Sequence, residues 1–190
     1  YTYSDFLTPT GLYQLDLLSG QTCRLRAQPD TFKAEDYLTE QYFAQASDGT
    51  AIPYFVVRSR QLVFDGSAPT LLYGYGGFQV SMLPFYLENF GEHWLEKGGV
   101  FVVANIRGGG EFGPAWHQAA QGVRRPVSFD DFIAVAEDLV ARRLTRPDRL
   151  AIEGGSNGGL LVAAAMVRRP DLFRAVVCEV PLLDMLAYTR

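Results

Sequence analysis

Three short apolar runs in this chain each break into glycine, and that repetition limits the fold more than any other feature. Thr70-Leu71-Leu72-Tyr73 leads into Gly74-Tyr75-Gly76-Gly77-Phe78, and Val100 to Asn105 leads into Arg107-Gly108-Gly109-Gly110-Glu111-Phe112-Gly113. Leu150-Ala151-Ile152 leads into Glu153-Gly154-Gly155-Ser156-Asn157-Gly158-Gly159. Uninterrupted runs of this length suit strands buried on both faces. Between them the spacing turns helical. Phe129, Phe132, Ile133, Ala136, Leu139 and Val140 mark one face of a helix over 129–143. Asp130 and Asp131 fall in its first turn and Arg142-Arg143 in its last, as the macrodipole favours. Residues 85–97 predict a second helix and 158–169 a third, followed by a strand over 174–179. From residue 70 the order is β-α-β-α-β-α-β, which predicts an α/β fold: a mostly parallel sheet with helices on both faces and functional loops at the strands' C-terminal ends.

The third glycine loop carries the strongest chemical signal. Gly154-x-Ser156-x-Gly158 sits between a strand and a helix, the setting of a nucleophile elbow, where a sharp turn lifts a serine hydroxyl clear of the sheet. A glycine-rich turn holding an ordinary serine explains the five residues alone but not both flanks. Ser156 is therefore the candidate nucleophile. The backbone N–H of Asn157 is the usual oxyanion donor in such an elbow. The phenol of Tyr75 is a candidate second donor if its loop reaches over Ser156, although a tyrosine among glycines is more often packing.

A rival reading comes from Gly108-Gly109-Gly110-Glu111-Phe112-Gly113, which satisfies G-x-G-x-x-G after an apolar strand. Pro114 follows at once, no apolar helix is expected there, and no strand-end acid lies about 20 residues on, so dinucleotide binding is not supported. No Gly-Lys-Ser/Thr ending exists for a phosphate loop. The histidines limit the serine reading. Both His93 and His117 precede Ser156, whereas in this arrangement the acid and histidine follow the nucleophile. Downstream stand Glu179 and Asp184, and Asp184 reads as a loop or cap residue.

Elsewhere the chain is ordinary globular material, 48% hydrophobic and 20% charged, and a net charge of −4 without a basic stripe argues against nucleic acid. Cys23 and Cys178 lack metal-ligand spacing, and the run Ala175-Val176-Val177-Cys178 predicts a buried thiol. No apolar stretch approaches the roughly 18 residues of a membrane span. Tyr1 to Asp5 show no signal-peptide pattern, which points to a cytoplasmic protein, and Tyr1 need not be the natural start. Residues 1–30 alternate as short antiparallel strands around Ser19-Gly20, too few to stand as a sheet alone. Ser47-Asp48-Gly49-Thr50 predicts a turn between two further strands.

Four blocks in order resemble the prolyl oligopeptidase family: Leu71 to Phe78, Ala104 to Gly113, Phe129-Asp130-Asp131-Phe132, and Gly154 to Leu161. Arg169-Pro170-Asp171-Leu172-Phe173 and Ser47 to Pro53 extend the likeness over most of the chain. The resemblance implies an α/β-hydrolase fold, here partial, preceded by a β-propeller remnant. It divides the chain into the end of a propeller (1–30), a connection with the first hydrolase strands (31–69), and a catalytic domain (70–190) that stops before the family's aspartate and histidine. It implies a serine peptidase cutting short proline-containing peptides after proline through an acyl-enzyme on Ser156. Tyr75 and the Asn157 N–H would hold the oxyanion, and Phe78 and Leu182 would wall the proline pocket. It implies no cofactor, no metal, no nucleic-acid or membrane partner, and a monomeric whole protein. Asn157 after the nucleophile favours this branch over oligopeptidase B. Arg124-Arg125-Pro126-Val127-Ser128 departs from the family's Lys/Asn-containing lead-in, which bears on local loop contacts. The chain alone, without a base, is expected to be inactive. An oligopeptidase B-like or acylaminoacyl-peptidase-like hydrolase, and a non-catalytic binding module, remain the alternatives.

Overall fold

The computed structural model describes residues 1–187. It opens with β1 (Thr2–Tyr3), β2 (Gly11–Leu15) and β3 (Thr22–Ala27), an antiparallel sheet of order β1-β2-β3. β2 stops at Leu15, because Asp16 Oδ1 accepts the Leu18 and Ser19 N–H groups and turns the chain. β4 (Tyr37–Gln45) and β5 (Ala51–Ser59) form a hairpin around the expected turn, where Asp48 Oδ1 accepts the Thr50 N–H.

β6 (Thr70–Gly74), α1 (Glu88–His93), β7 (Val100–Ala104), α2 (Pro114–Gln118), α3 (Pro126–Ala141), β8 (Leu150–Gly155), α4 (Asn157–Arg168) and β9 (Ala175–Glu179) follow. The second sheet has order β4-β5-β7-β6-β8-β9, antiparallel from β4 to β7 and parallel from β7 to β9. Alternate residues of β7 feed opposite faces: Val100, Val102 and Ala104 join Phe132, Leu139, Leu161 and Val162 of α3 and α4. Phe101 and Val103 pack on the other face with Leu87, Leu95, Phe6 and Phe32. Helices therefore cover both faces, as an α/β-hydrolase domain requires. Phe6, between β1 and β2, and Phe32, after β3, anchor that sheet to the second core.

Several local expectations change. α3 begins at Pro126, three residues before the first periodic aromatic, because proline is preorganised for the first helical position. Asp130 and Asp131 consequently lie in the second turn, Arg142 is the C-cap and Arg143 lies beyond it, so these four charges do not serve the helix dipole as expected. The helix expected over 85–97 shrinks to α1 and a 3-10 turn at Leu95–Lys97. Phe85 instead packs edge-on against Phe101, and Tyr86 stacks on Phe32, so aromatic burial overrides periodicity there. A short helix does start at Pro114, where none was expected. Cys178 is exposed rather than buried, because β9 pairs only with β8 among the described strands. Among the described residues no helix is long and apolar enough to cross a membrane.

Candidate active site

Parallel pairing of β7, β6 and β8 brings the three glycine loops to one edge of the sheet. At the end of β8 Ser156 adopts φ 57°, ψ −113°, a conformation that costs an L residue of order 1–3 kcal/mol. Serine is a preferred N-cap, yet Ser156 occupies the N-cap of α4 without making a side-chain capping bond. Its main chain is pinned instead: its N–H donates to Glu179 O at 2.9 Å, and its carbonyl accepts from Leu160 N at 3.2 Å. The hydroxyl is thus held out of the helix-terminal hydrogen bonding that would otherwise occupy it. Gly158 permits the tight turn, since a Cβ there would sit 2.6 Å from Gly74 O.

Asn157 opens α4, where the first N–H groups have no intrahelical acceptor and carry the positive end of the helix dipole. The residue is 4% exposed, and both polar atoms of its side chain are bonded. Nδ2 donates to Tyr75 O at 2.6 Å, and Oδ1 accepts Arg125 Nη2 at 2.9 Å. Because a guanidinium only donates, the oxygen must face Arg125. Arg125 Nη1 donates to Gly76 O at 2.6 Å, so amide and guanidinium together tie the loop after β6 to the elbow. Gly77 has to be glycine for the same closeness: a Cβ would overlap the Asn157 amide. Tyr75 therefore has its main chain bonded to the residue beside Ser156. Burial lowers the Arg125 pKa.

Phe78 and Leu182 both line a cavity of ≈ 410 Å³, together with His117, Arg125, Asn157 and Met185. Phe78 is 63% exposed and, like Gln79, has a left-handed backbone at φ 55° and 57°. That loop is held by the next one: the Gln79 N–H donates to Gly108 O at 3.3 Å. His117 Nδ1 is 2.6 Å from Gly108 O and Nε2 is 2.7 Å from Gln121 Nε2, so a neutral ring protonated on Nδ1 satisfies both. Leu182 reaches the site through its N–H, 3.4 Å from Ser156 O. Asp184 accepts the Ala187 N–H in a turn, in keeping with its loop reading.

Two arginines of the site were not singled out from sequence. Arg107, at the end of β7, is buried against Asp131 of α3, with Nε and Nη2 at 2.9 and 2.6 Å and its own N–H at 3.1 Å from the carboxylate. Asp48, in the β4–β5 turn, takes Nη1 at 2.5 Å, and this bond holds its carboxyl well below the usual range. Burial pushes Asp131 up, and the Arg107 bonds oppose that. We read Asp131 as ionised, because three N–H donors and no acceptor face it. The sequence offered only position and block membership: Arg107 stands at a strand end within the Ala104 to Gly113 block, and Arg125 directly before Pro126 in the segment that departs from the family's lead-in.

The model of the prolyl oligopeptidase family matches residues 87–190. A solved post-proline cleaving enzyme from Rickettsia typhi is 48% identical with a TM-score of 0.91, over 98% of this chain and 27% of that one. A prolyl endopeptidase of Elizabethkingia miricola is 40% identical over 100% of this chain and 27% of its own length. Oligopeptidase B from Trypanosoma brucei is 36% identical with a TM-score of 0.89, over 96% of this chain and 26% of that one. The chain thus spans about a quarter of the length of these relatives. With its elbow, its mixed sheet and a family match over more than half its length, the chain belongs to the prolyl oligopeptidase family.

Proposed function

We propose that the protein carrying this chain is a serine peptidase that cleaves short peptides on the carboxyl side of proline, with Ser156 as nucleophile. The observation that carries the reading is the strained, non-capping Ser156 at the start of α4, tied through Asn157 to the Tyr75 loop. In this reading Ser156 Oγ attacks the carbonyl carbon of the prolyl residue while a base takes its proton. The resulting oxyanion sits between the Asn157 N–H and the Tyr75 phenol. Collapse expels the amine with that proton, and water then hydrolyses the prolyl ester. Loss of one such donor typically costs 10²–10³ in kcat. The base comes from outside these residues, since both ring nitrogens of His117 are engaged elsewhere.

Phe78, Leu182 and Met185 give the neighbouring cavity apolar walls, which suit a proline ring better than a basic side chain. Higher identity to the post-proline enzyme than to oligopeptidase B favours the same branch. Residues 1–30 are read as the end of a propeller that screens the site from large proteins, 31–69 as the lead-in, and 70–190 as part of the catalytic domain.

The test uses a longer protein carrying this sequence and substrates with proline, arginine or an acylated residue before the leaving group. Turnover of the proline substrate is expected, with Ser156→Ala reducing it by at least 10³-fold. Preference for arginine or acylated substrates would replace this reading with one of the related hydrolases, and Ser156-independent turnover would end it. The 190-residue chain alone is expected to show no turnover.

A further inference from the structure

The contacts of Arg125 reach beyond the nucleophile and its two oxyanion donors. This side chain occupies the junction of the site's loops. One guanidinium nitrogen donates to Gly76 O at 2.6 Å, directly after Tyr75, and another to Asn157 Oδ1 at 2.9 Å, directly after Ser156. The group packs over the Phe129 ring at 5.4 Å and lines the cavity shared by Phe78 and Leu182. Among the described residues it makes no ion pair, so its charge is not neutralised by a carboxylate. Its Nε is buried without a partner. A half-buried cation without a counter-ion is costly, and two charge-assisted bonds to an oxyanion loop and an elbow residue are what it gains.

We propose that Arg125 is a positioning residue that braces the Tyr75–Gly76 loop against Asn157 and thereby sets the separation of the two oxyanion donors. The inference rests on the catalytic reading above. Tyr75 and Asn157 are joined by one further bond, Asn157 Nδ2 to Tyr75 O, so three hydrogen bonds fix the loop as a triangle. Without the guanidinium, two of those three bonds are lost, and Gly76 O and Asn157 Oδ1 are left without their partner. The loop is then free to move by the fraction of an ångström that an oxyanion feels and a bound ground-state carbonyl tolerates.

The experiment compares Arg125→Ala, Arg125→Lys and Asn157→Ala in the longer protein, each checked for folding by thermal melting. Arg125→Ala is expected to lower kcat about 10- to 100-fold with KM within about threefold, because misplacement of about 1 Å costs on that order. Affinity for a prolyl aldehyde, which forms a tetrahedral adduct, is expected to fall in parallel, while affinity for the proline-ended product stays unchanged. Added guanidinium ion is expected to restore kcat to Arg125→Ala, and Arg125→Lys to lie between that variant and the parent. The double variant with Asn157→Ala is expected to be no worse than the poorer single variant by more than about threefold, as shared function demands. Unchanged kcat in a folded Arg125→Ala, or a rise in KM alone, would overturn the brace. If Arg125→Ala does not fold, Arg125→Lys with unaltered kcat and aldehyde affinity overturns it equally. Persistence of activity in Ser156→Ala would instead defeat the catalytic reading, whatever Arg125 does.

Discussion

Removing the Asp131 carboxylate tests how the loop after β7 is held. Asp131 is fully buried and accepts three hydrogen bonds from Arg107, whose side chain is only 10% exposed. Asp131→Ala strands a buried guanidinium and a main-chain N–H. Breaking one side of such a pair costs about 3–5 kcal/mol. Asp48 still holds Nη1, but it is half exposed, so the loss is expected near the lower end, about 3 kcal/mol. Asp131→Asn keeps the shape but turns an NH₂ toward a donor, and about 1–3 kcal/mol is expected from the misplaced bond. Replacing both partners, as Arg107→Met with Asp131→Leu, removes the stranded charge and should recover most of the loss. Urea unfolding at constant m measures these variants, and the single Arg107→Met and Asp131→Leu ones, against the parent. A folded Asp131→Ala within about 1 kcal/mol of the parent would refute the reasoning, as would a double variant no more stable than either single one. The loop also supplies Gly108 O to Gln79 and His117, so the same variants should loosen the Phe78 wall and raise KM for proline substrates.

Glu153 lies partly buried in β8, and burial, then Glu179, raise its pKa. A raised carboxyl pKa means the protonated form fits the fold better; that stability is complete below the unfolded pKa of about 4.3 and is lost as pH rises through the folded value. Glu153→Gln should therefore raise Tm at pH 7 and leave it unchanged near pH 4; an equal gain at both would rule out ionisation as the cause. Gly77→Ala forces a methyl against the Asn157 amide, and overpacking of this kind costs about 1–3 kcal/mol. Because the amide is the tie to Tyr75, kcat should fall more than KM rises, and an unaffected kcat would show that the loop yields without moving the site.

What was readable in the sequence is what sterics settle within a few residues. The elbow declared itself because strand, glycine, serine, glycine and helix have one local cause, and Ser156 does take the left-handed turn. The sheet followed from three apolar runs for the same reason. The long-range pairings were not readable. Asp131 was assigned to a helix dipole by a local rule, whereas its partner is 24 residues away in a different loop. The start of α3 at Pro126 was missed, because the period begins only at Phe129 while proline suits the first helical position. Residues 85 and 86 lost their helix to aromatic contacts with Phe101 and Phe32, which no 3.6-residue period encodes. Arg125 shows the consequence for chemistry. In sequence it is one of two adjacent arginines; in the fold it bonds Gly76, 49 residues back, and Asn157, 32 residues on. Local patterns thus identify which groups react, while the bonds that span tens of residues decide how far apart those groups stand. An oxyanion hole depends on that distance, so a serine elbow with every motif intact can still differ in rate through a residue that no motif contains.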